Sequence, residues 1–556
     1  MPTIPDIAAF VDPHFDQLFA GGTVPALVYG VIKNGELIHS RGLGSIDLDG
    51  TETPPNADTL FRIASMTKSF TAATLLSLRD EGLLGLDDHL VDYVPELMGG
   101  GAENHQITLR HLLTMTAGFP TDDPWGDRQQ DLHPDDFASL LATPMEPMWR
   151  PGDRFEYSNL GYALLGRVIE SVTGMRYRDV VKSKVLSPLS LTSTGFDTAE
   201  VERSRLATGY VRREDDWVVE PVAGYGAFAP MGGLLSTVSD LTRWVSAMVD
   251  AQRLDAGRPE AGQSPVSDSN LAQPPKAASL REMQTGQRFI EAECRPTLDS
   301  PMVPPTVRHY GFGLFDELLP SGRTISHSGG YPGFGSHMRW HLRSGLGIVA
   351  LGNRSYAPMG KAAAAALESA IPAVGESSPI DPAQRAWLQE AQRAVERLTN
   401  EWDESLVAEW FTDNVEQDEP WAVRRRHLER LQGKHGQLAP DPRSEPVDMG
   451  PAQAVWWLRG ERGGRVKVDI LLSPHPTPRI QAVTWLSVPE PAAAVRDLAR
   501  EALSGVDPLA ALGEATAAVG ETSATFAATG ERGKFEVVVD ASGRTQVRLV
   551  ALRTRS

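Results

Sequence analysis

The chain has 556 residues, 41% of them hydrophobic and 22% charged, the composition of a globular protein long enough for more than one core. Its formal net charge of -19 argues against binding a nucleic-acid backbone, so no nucleic-acid partner is expected. Cys294 is the only cysteine, which excludes an intrachain disulfide and fits a reducing compartment, the cytoplasm.

The first thirty residues hold Asp6, Asp12 and Asp16 and lack the basic start of a secretory leader, so none is expected. No apolar run is long enough to span a membrane, and no membrane partner is expected. Pro5 to Ala20 reads as an amphipathic helix stopped by Gly21-Gly22. Ala26–Ile32 and Leu37–Gly44 flank Asn34-Gly35, a hairpin signal that feeds an antiparallel sheet.

Phe61 to Phe70 contains Ser65 and Lys68, three residues apart. A helix beginning at Ser65 puts both side chains on one face, one turn apart. A serine hydroxyl needs a base to become a nucleophile, and a lysine in a water-poor site can lose its charge and serve as one. The residues through Leu76 are mostly apolar or small, which predicts a buried helix.

From Ser65 to about Met248 the chain reads as mostly helical. Thr108–Leu113 is a capped helix start, with His111 expected to be structural or at the surface. Gly118 to Asp127 is irregular, the kind of loop that lines sites. Its acids Asp122, Asp123 and Asp127 are interrupted by Pro124, and no metal is expected there. Tyr157-Ser158-Asn159 leads into an apolar-periodic helix, Leu160–Ser171, and Thr208–Val219 reads as an exposed hairpin.

Composition shifts at Asp255, and residues 255–305 read as a Pro-rich excursion with one short helix near Leu280–Gln284. Strands follow at Tyr310–Phe315, Arg323–His327, Ser336–Leu342 and Gly345–Gly352, then a helix at Lys361–Ile371. Strands from both ends with helices between predict an α/β sandwich with an antiparallel sheet plus a helical lobe over residues 1–375, with a cleft between the two.

Residues 376–556 read as a separate C-terminal α+β domain. It opens with a helix capped by Asp381-Pro382 and carries strands at Ala454–Arg459, Val466–Leu472, Ile480–Val488, Ala524–Ala528, Lys534–Val539 and Thr545–Leu552. Seven of the twelve tryptophans lie there, enough large apolar surface for a core of its own. In pattern it resembles a nuclear-transport-factor-like domain. It carries no catalytic motif, and self-association into a homo-oligomer is one role it could have.

Three stretches remain: Ser65-Met66-Thr67-Lys68, Tyr157-Ser158-Asn159 and His327-Ser328-Gly329-Gly330. Singly, each has a plain reading. Tyr157 could be a buried tyrosine, Asn159 a helix cap and His327 a sheet-edge histidine. In this order and spacing they resemble the serine β-lactamase and penicillin-binding-protein superfamily, in its class C-like branch, which also holds esterases and D-aminopeptidases. The resemblance runs over roughly residues 5 to 370 and implies a β-lactamase/transpeptidase-like fold.

The resemblance also implies roles. Ser65 would be acylated, Lys68 would ease removal of its proton, and Tyr157 would share the work of general base. Asn159 would donate an amide hydrogen bond to the substrate or to Lys68. Gly329 would let the strand approach the substrate, and the N–H groups of Ser65 and Gly330 would form the oxyanion hole. His327 stands where many relatives have lysine, a departure that favours ester or amide substrates over β-lactams, since histidine is only partly charged near neutral pH. The expected activity is hydrolysis of a small ester, an amide or a short peptide, including D-residue peptides, without a cofactor. The alternatives are a β-lactamase or DD-peptidase, and a non-catalytic scaffold that keeps the fold.

Overall fold

In the computed structural model of the chain, Asn34 and Gly35 take positive φ angles of 53° and 91°. They turn Ala26–Lys33 (β1) back into Glu36–Gly44 (β2), the hairpin that an Asn-Gly pair between apolar runs predicts. The described residues are 7–50, 52–99, 104–143, 146–253, 273–293, 306–319, 321–374, 382–442, 447–475, 477–488, 491–519, 523–530, 533–540 and 542–552. They divide into a first unit through Ser377 and a second from Ser378 to Arg555.

The first unit carries two short pairings outside its main sheet. Phe61–Arg62 (β3) pairs with Leu235–Ser236 (β6), and Tyr210–Arg213 (β4) pairs with Asp216–Val219 (β5) in the hairpin expected there. Six later strands complete an eight-stranded sheet. They are Arg288–Glu293 (β7), Thr306–Tyr310 (β8), Phe315–Leu319 (β9), Gly322–Tyr331 (β10), Phe334–His341 (β11) and Leu346–Gly352 (β12). The order is β2-β1-β12-β11-β10-β9-β8-β7, antiparallel throughout, so the N-terminal hairpin closes onto the last strand.

The helices Ile7–Ala20 and Met359–Val374 pack together on the sheet, burying Val11, Phe15, Ala363 and Leu367 against Leu27, Tyr29 and Ile348. A second core joins the sheet residues Val28, Met338 and Val349 to Phe70, Leu75 and Trp244, and continues into the helical lobe through Leu164, Val168 and Leu112. This is the antiparallel α/β sandwich with a helical lobe that the element order predicts.

Three local expectations change. Tyr310 and Phe315 belong to two strands, because the chain turns between them with Gly313 at φ 70°. Phe312 and Leu314 are buried in that turn, and their apolarity made it read as strand. Ser65 lies in a 3-10 turn, Ala64–Met66, and the α-helix proper is Thr67–Asp80. Within 255–305, the helix is Ala277–Met283 and β7 follows it; residues 254–272 and 294–305 lie outside the described residues.

The second unit begins with helices Pro382–Asn400, Glu404–Trp410, Asn414–Asp418 and Trp421–His435. They cover a sheet of Leu438–Pro440, Val447–Gly450, Gln453–Gly460, Arg465–Leu472 and Ile480–Val488, with Leu398, Trp456, Val468 and Trp485 in the core. A further helix, Ala493–Val506, packs on a four-stranded sheet, Ala511–Val519, Ser523–Gly530, Gly533–Val539 and Thr545–Leu552. The sequence reading missed that helix and the strand after it. Ala511–Val519 is rich in alanine and poor in β-branched residues, so it carries little strand signal.

Candidate active site

Ser65 sits on a turn held from several sides. Ile63 N–H donates to Leu234 O at 2.9 Å, and Ser336 Oγ donates to Ile63 O at 2.7 Å. Ala64 takes a left-handed φ of 48°, a conformation that costs free energy in a residue with a side chain and persists only where its surroundings enforce it. Behind the turn, Trp244 Nε1 donates to Ser69 Oγ at 3.2 Å and the Trp244 ring stacks on Phe70.

Lys68 is fully buried. Its Nζ is 3.0 Å from Ser65 Oγ, 2.7 Å from Asn159 Oδ1 and 2.8 Å from Met231 O. Burial pushes its pKa down to about 8, while the carboxylates of Asp123, Asp127 and Asp122 pull it up. A buried amine with that value is available as a free base just above neutral pH.

Tyr157 precedes the helix Asn159–Thr173. Its ring centroid is 4.9 Å from Lys68 Nζ. Burial raises the phenol well above its ordinary range, and the neighbouring Ser65 hydroxyl only partly opposes this. The resting tyrosine is therefore a neutral phenol. Between the two expected partners, the lysine is the one whose proton is loosened.

Asn159 is the first residue of its helix, and Ser158 is the N-cap. Asp122 accepts from Asn159 N at 2.6 Å and Leu160 N at 2.8 Å. The expectation that the Asn159 amide donates to Lys68 is corrected. The amide oxygen accepts from Lys68, and Nδ2 donates to Asp123 Oδ1 at 2.7 Å.

His327 lies on β10 and is 1% exposed. Its Nδ1 is 2.6 Å from Ser328 O and its Nε2 is 3.3 Å from Tyr310 OH. The carbonyl can only accept, so Nδ1 carries the proton and Nε2 accepts from Tyr310. Burial, with the Lys68 charge adding, pushes the ring pKa down to about 3. The partly charged histidine expected from its ordinary pKa is thus a neutral one, and both of its nitrogens are engaged by the protein.

Gly329 and Gly330 stand where β10 passes the Ser65 turn. A β-carbon on Gly330 would lie 2.8 Å from Tyr356 Cδ1, so the Tyr356 ring packs on that strand. Tyr356 is half-exposed, holds a left-handed φ of 54°, and donates to Asp127 Oδ2 at 2.7 Å. Asp127 itself is buried, and burial pushes its carboxyl up to about 6, against the pull of the Tyr356 hydrogen bond and Lys68.

The structure thus brings Ser65, Lys68, Tyr157 and Asn159 together, with His327 close to Tyr157, their ring centroids 6.4 Å apart. The sequence reading missed Asp122, Asp123, Asp127, Tyr356 and the Met231 carbonyl. Asp122 and Asp123 both hold Asn159, one through its backbone N–H and the other through its side-chain amide, and Asp127 accepts from Tyr356. His111 is structural, as expected: its Nδ1 accepts from Thr108 N and completes a capping box.

The sandwich, its helical lobe and a Ser-x-x-Lys pair packed against β10 and β11 define a protein of the β-lactamase/transpeptidase type. A Beta-lactamase family profile matches residues 11–371, and the chain belongs to that family. It is 27% identical over 351 residues to Protein flp of Staphylococcus aureus strain COL, covering 62% of each chain. It is 26% identical over 346 residues to Penicillin-binding protein 4* of Bacillus subtilis strain 168, covering 58% of this chain and 66% of that one. The matches therefore span less than two thirds of these relatives' own length. Among solved structures, the octameric penicillin-binding protein homologue from Pyrococcus abyssi aligns with a TM-score of 0.52 and 20% identity, covering 99% of both chains. A class C beta-lactamase aligns with a TM-score of 0.51 and 21% identity, covering 66% of this chain and 97% of that one. Among the described residues, no helix is long and apolar enough to cross a membrane.

Proposed function

We propose that the protein is a serine hydrolase that works through an acyl-enzyme on Ser65. The observation that carries this is the three-way contact of Lys68 Nζ with Ser65 Oγ, Asn159 Oδ1 and Met231 O inside a buried site. In its free-amine form Lys68 takes the Ser65 proton as Oγ attacks a carbonyl carbon. The negative charge that develops on the carbonyl oxygen is received by the N–H groups of Ser65 and Gly330. As the intermediate collapses, the Tyr157 hydroxyl gives its proton to the leaving group and is restored by the Lys68 ammonium. Water then takes the place of the leaving group, and the same proton path runs in reverse.

The substrate class is a small ester, an amide or a short peptide, D-residue peptides included. The neutral His327 favours this over a β-lactam or a DD-peptide, because the position offers no permanent cation to a substrate carboxylate. The single cysteine supports work in the cytoplasm, which cell fractionation tests.

The second unit is proposed to mediate self-association, a reading that the octameric Pyrococcus abyssi neighbour supports. Its stretch 382–488 keeps the helix-then-sheet order on which the nuclear-transport-factor-like reading rests. The native mass of the full chain tests the association.

A fluorophosphonate probe is expected to label the wild type and not Ser65→Ala. A panel of p-nitrophenyl esters, D- and L-aminoacyl anilides and nitrocefin then sorts the substrates. No label and no turnover of any of them would leave the scaffold alternative standing. Preferential turnover of nitrocefin would favour the β-lactamase alternative.

A further inference from the structure

We propose that Asp123 is a positioning residue for this centre: it fixes the Asn159 amide so that its oxygen, and not its nitrogen, faces Lys68. The inference rests on the reading of Ser65 as the acylated nucleophile.

Asn159 is wholly buried between an acceptor and a donor. Its Nδ2 is 2.7 Å from Asp123 Oδ1, and its Oδ1 is 2.7 Å from Lys68 Nζ. A carboxylate only accepts and a lysine with protons to give donates, so one amide orientation satisfies both and the flipped one satisfies neither. The rest of the residue is already fixed. Asp122 holds Asn159 N and Leu160 N, and a β-carbon on Gly126 would lie 2.9 Å from Asn159 Cβ. The remaining freedom is the amide flip, and Asp123 decides it.

The flip matters because of what a neutral amine must do. It has two N–H groups and one lone pair. Asn159 Oδ1 and Met231 O take the two N–H groups, which leaves the lone pair aimed at Ser65 Oγ, 3.0 Å away. With the amide reversed, Nδ2 would face Lys68 and draw the lone pair to itself. The base would then be present but pointed away from the proton it has to take.

Asp123 acts on Lys68 through charge as well, the largest such influence among the three nearby carboxylates, with Asp127 and Asp122 behind it. The other groups facing Lys68 are the rings of Tyr157 and Tyr162 and the neutral His327. Losing the Asp123 charge therefore lowers the pH at which Lys68 becomes a free base.

The test is the rate of fluorophosphonate labelling of the full chain from about pH 5.5 to 10, for wild type, Asp123→Ala and Asp123→Asn, with thermal midpoints measured alongside. Asp123→Ala should lower the plateau rate roughly ten-fold or more and move the midpoint of the profile to lower pH. Asp123→Asn keeps an acceptor without the charge, so its midpoint should move similarly while its plateau falls less. A merely structural role would lower the plateau and the thermal midpoint without moving the pH midpoint, and that result overturns the proposal. So do variant profiles that superimpose on the wild type. If Asp123→Ala does not fold, an unshifted midpoint in Asp123→Asn overturns it. A wild type without label removes this proposal together with the hydrolase reading, whereas labelled wild type with superimposing variants removes this proposal alone.

Discussion

A β-carbon on Gly329 would lie 2.2 Å from the carbonyl oxygen of Ile63, two residues before Ser65. The strand and the turn that bears the hydroxyl are in backbone contact, and glycine is what permits it. The same β-carbon would lie 2.2 Å from Ser336 Oγ, the group that pins Ile63 O. Gly329→Ala is therefore expected to push the Ser65 turn off the sheet. Thermal or urea unfolding should show a loss of about 1–3 kcal/mol, the usual cost of overpacking, and probe labelling should fall in parallel. An alanine variant as stable and as readily labelled as the wild type would show that the strand yields freely.

Lys68 has a folded pKa of about 8 against an ordinary 10.5. Below pH 8 both the folded and the unfolded chain hold the proton, and the penalty for burying the charge is fully present. Between about 8 and 10.5 the folded chain releases the proton while the unfolded chain keeps it, so stability rises with pH. Lys68→Met, which removes the titrating group, should thus be most stable relative to wild type below pH 8, and the difference should shift in favour of wild type as pH approaches 10.5. Thermal midpoints of the two proteins across this range check it. A constant difference would mean that Lys68 does not titrate there.

Asp127 is shifted the other way for a carboxylate, from an ordinary 3.8 up to about 6. As pH rises from 3.8 to 6, the unfolded chain ionises first and wild-type stability falls; above 6 the penalty is complete. Asp127→Asn should gain on wild type across that interval and hold its gain above it. Parallel unfolding curves at pH 4 and pH 7 suffice to measure this, and equal differences at the two values would contradict it.

The neutral His327 makes a kinetic prediction. The labelling profile of the wild type should rise with a midpoint near 8, the Lys68 value, with no limb near 6.5, the ordinary histidine value. His327→Gln should change the rate without moving that midpoint, because no charge is lost. A limb near 6.5 that disappears in the glutamine variant would show that the ring is charged in the folded protein.

Much of the fold was legible because its signals are local. Asn34-Gly35 announced a hairpin through turn chemistry, and Leu160–Ser171 announced a helix through its period. The reading failed where local pattern and structure part. Phe312 and Leu314 look like strand because they are apolar, yet they fill a turn that Gly313 makes possible. At the site, Ser65 and Lys68 stood out by spacing and residue type, and Tyr157 and Asn159 through the resemblance to the β-lactamase and penicillin-binding-protein superfamily. Asp123 was not singled out, because an acid in an irregular loop has the same sequence signature whether it faces solvent or orients a buried amide.

The sequence alone determined the N-terminal hairpin, the pairing of Ser65 with Lys68 and the helix that follows Asn159, since these depend on neighbours a few positions apart. Only the tertiary structure decided which way the Asn159 amide points, that His327 is neutral and that Lys68 holds its proton weakly. Each of these depends on burial and on partners distant in the chain, from Asp123 to Asn159 and from Lys68 to Met231. A group's charge and orientation follow from what surrounds it in space, and the linear chain does not carry that.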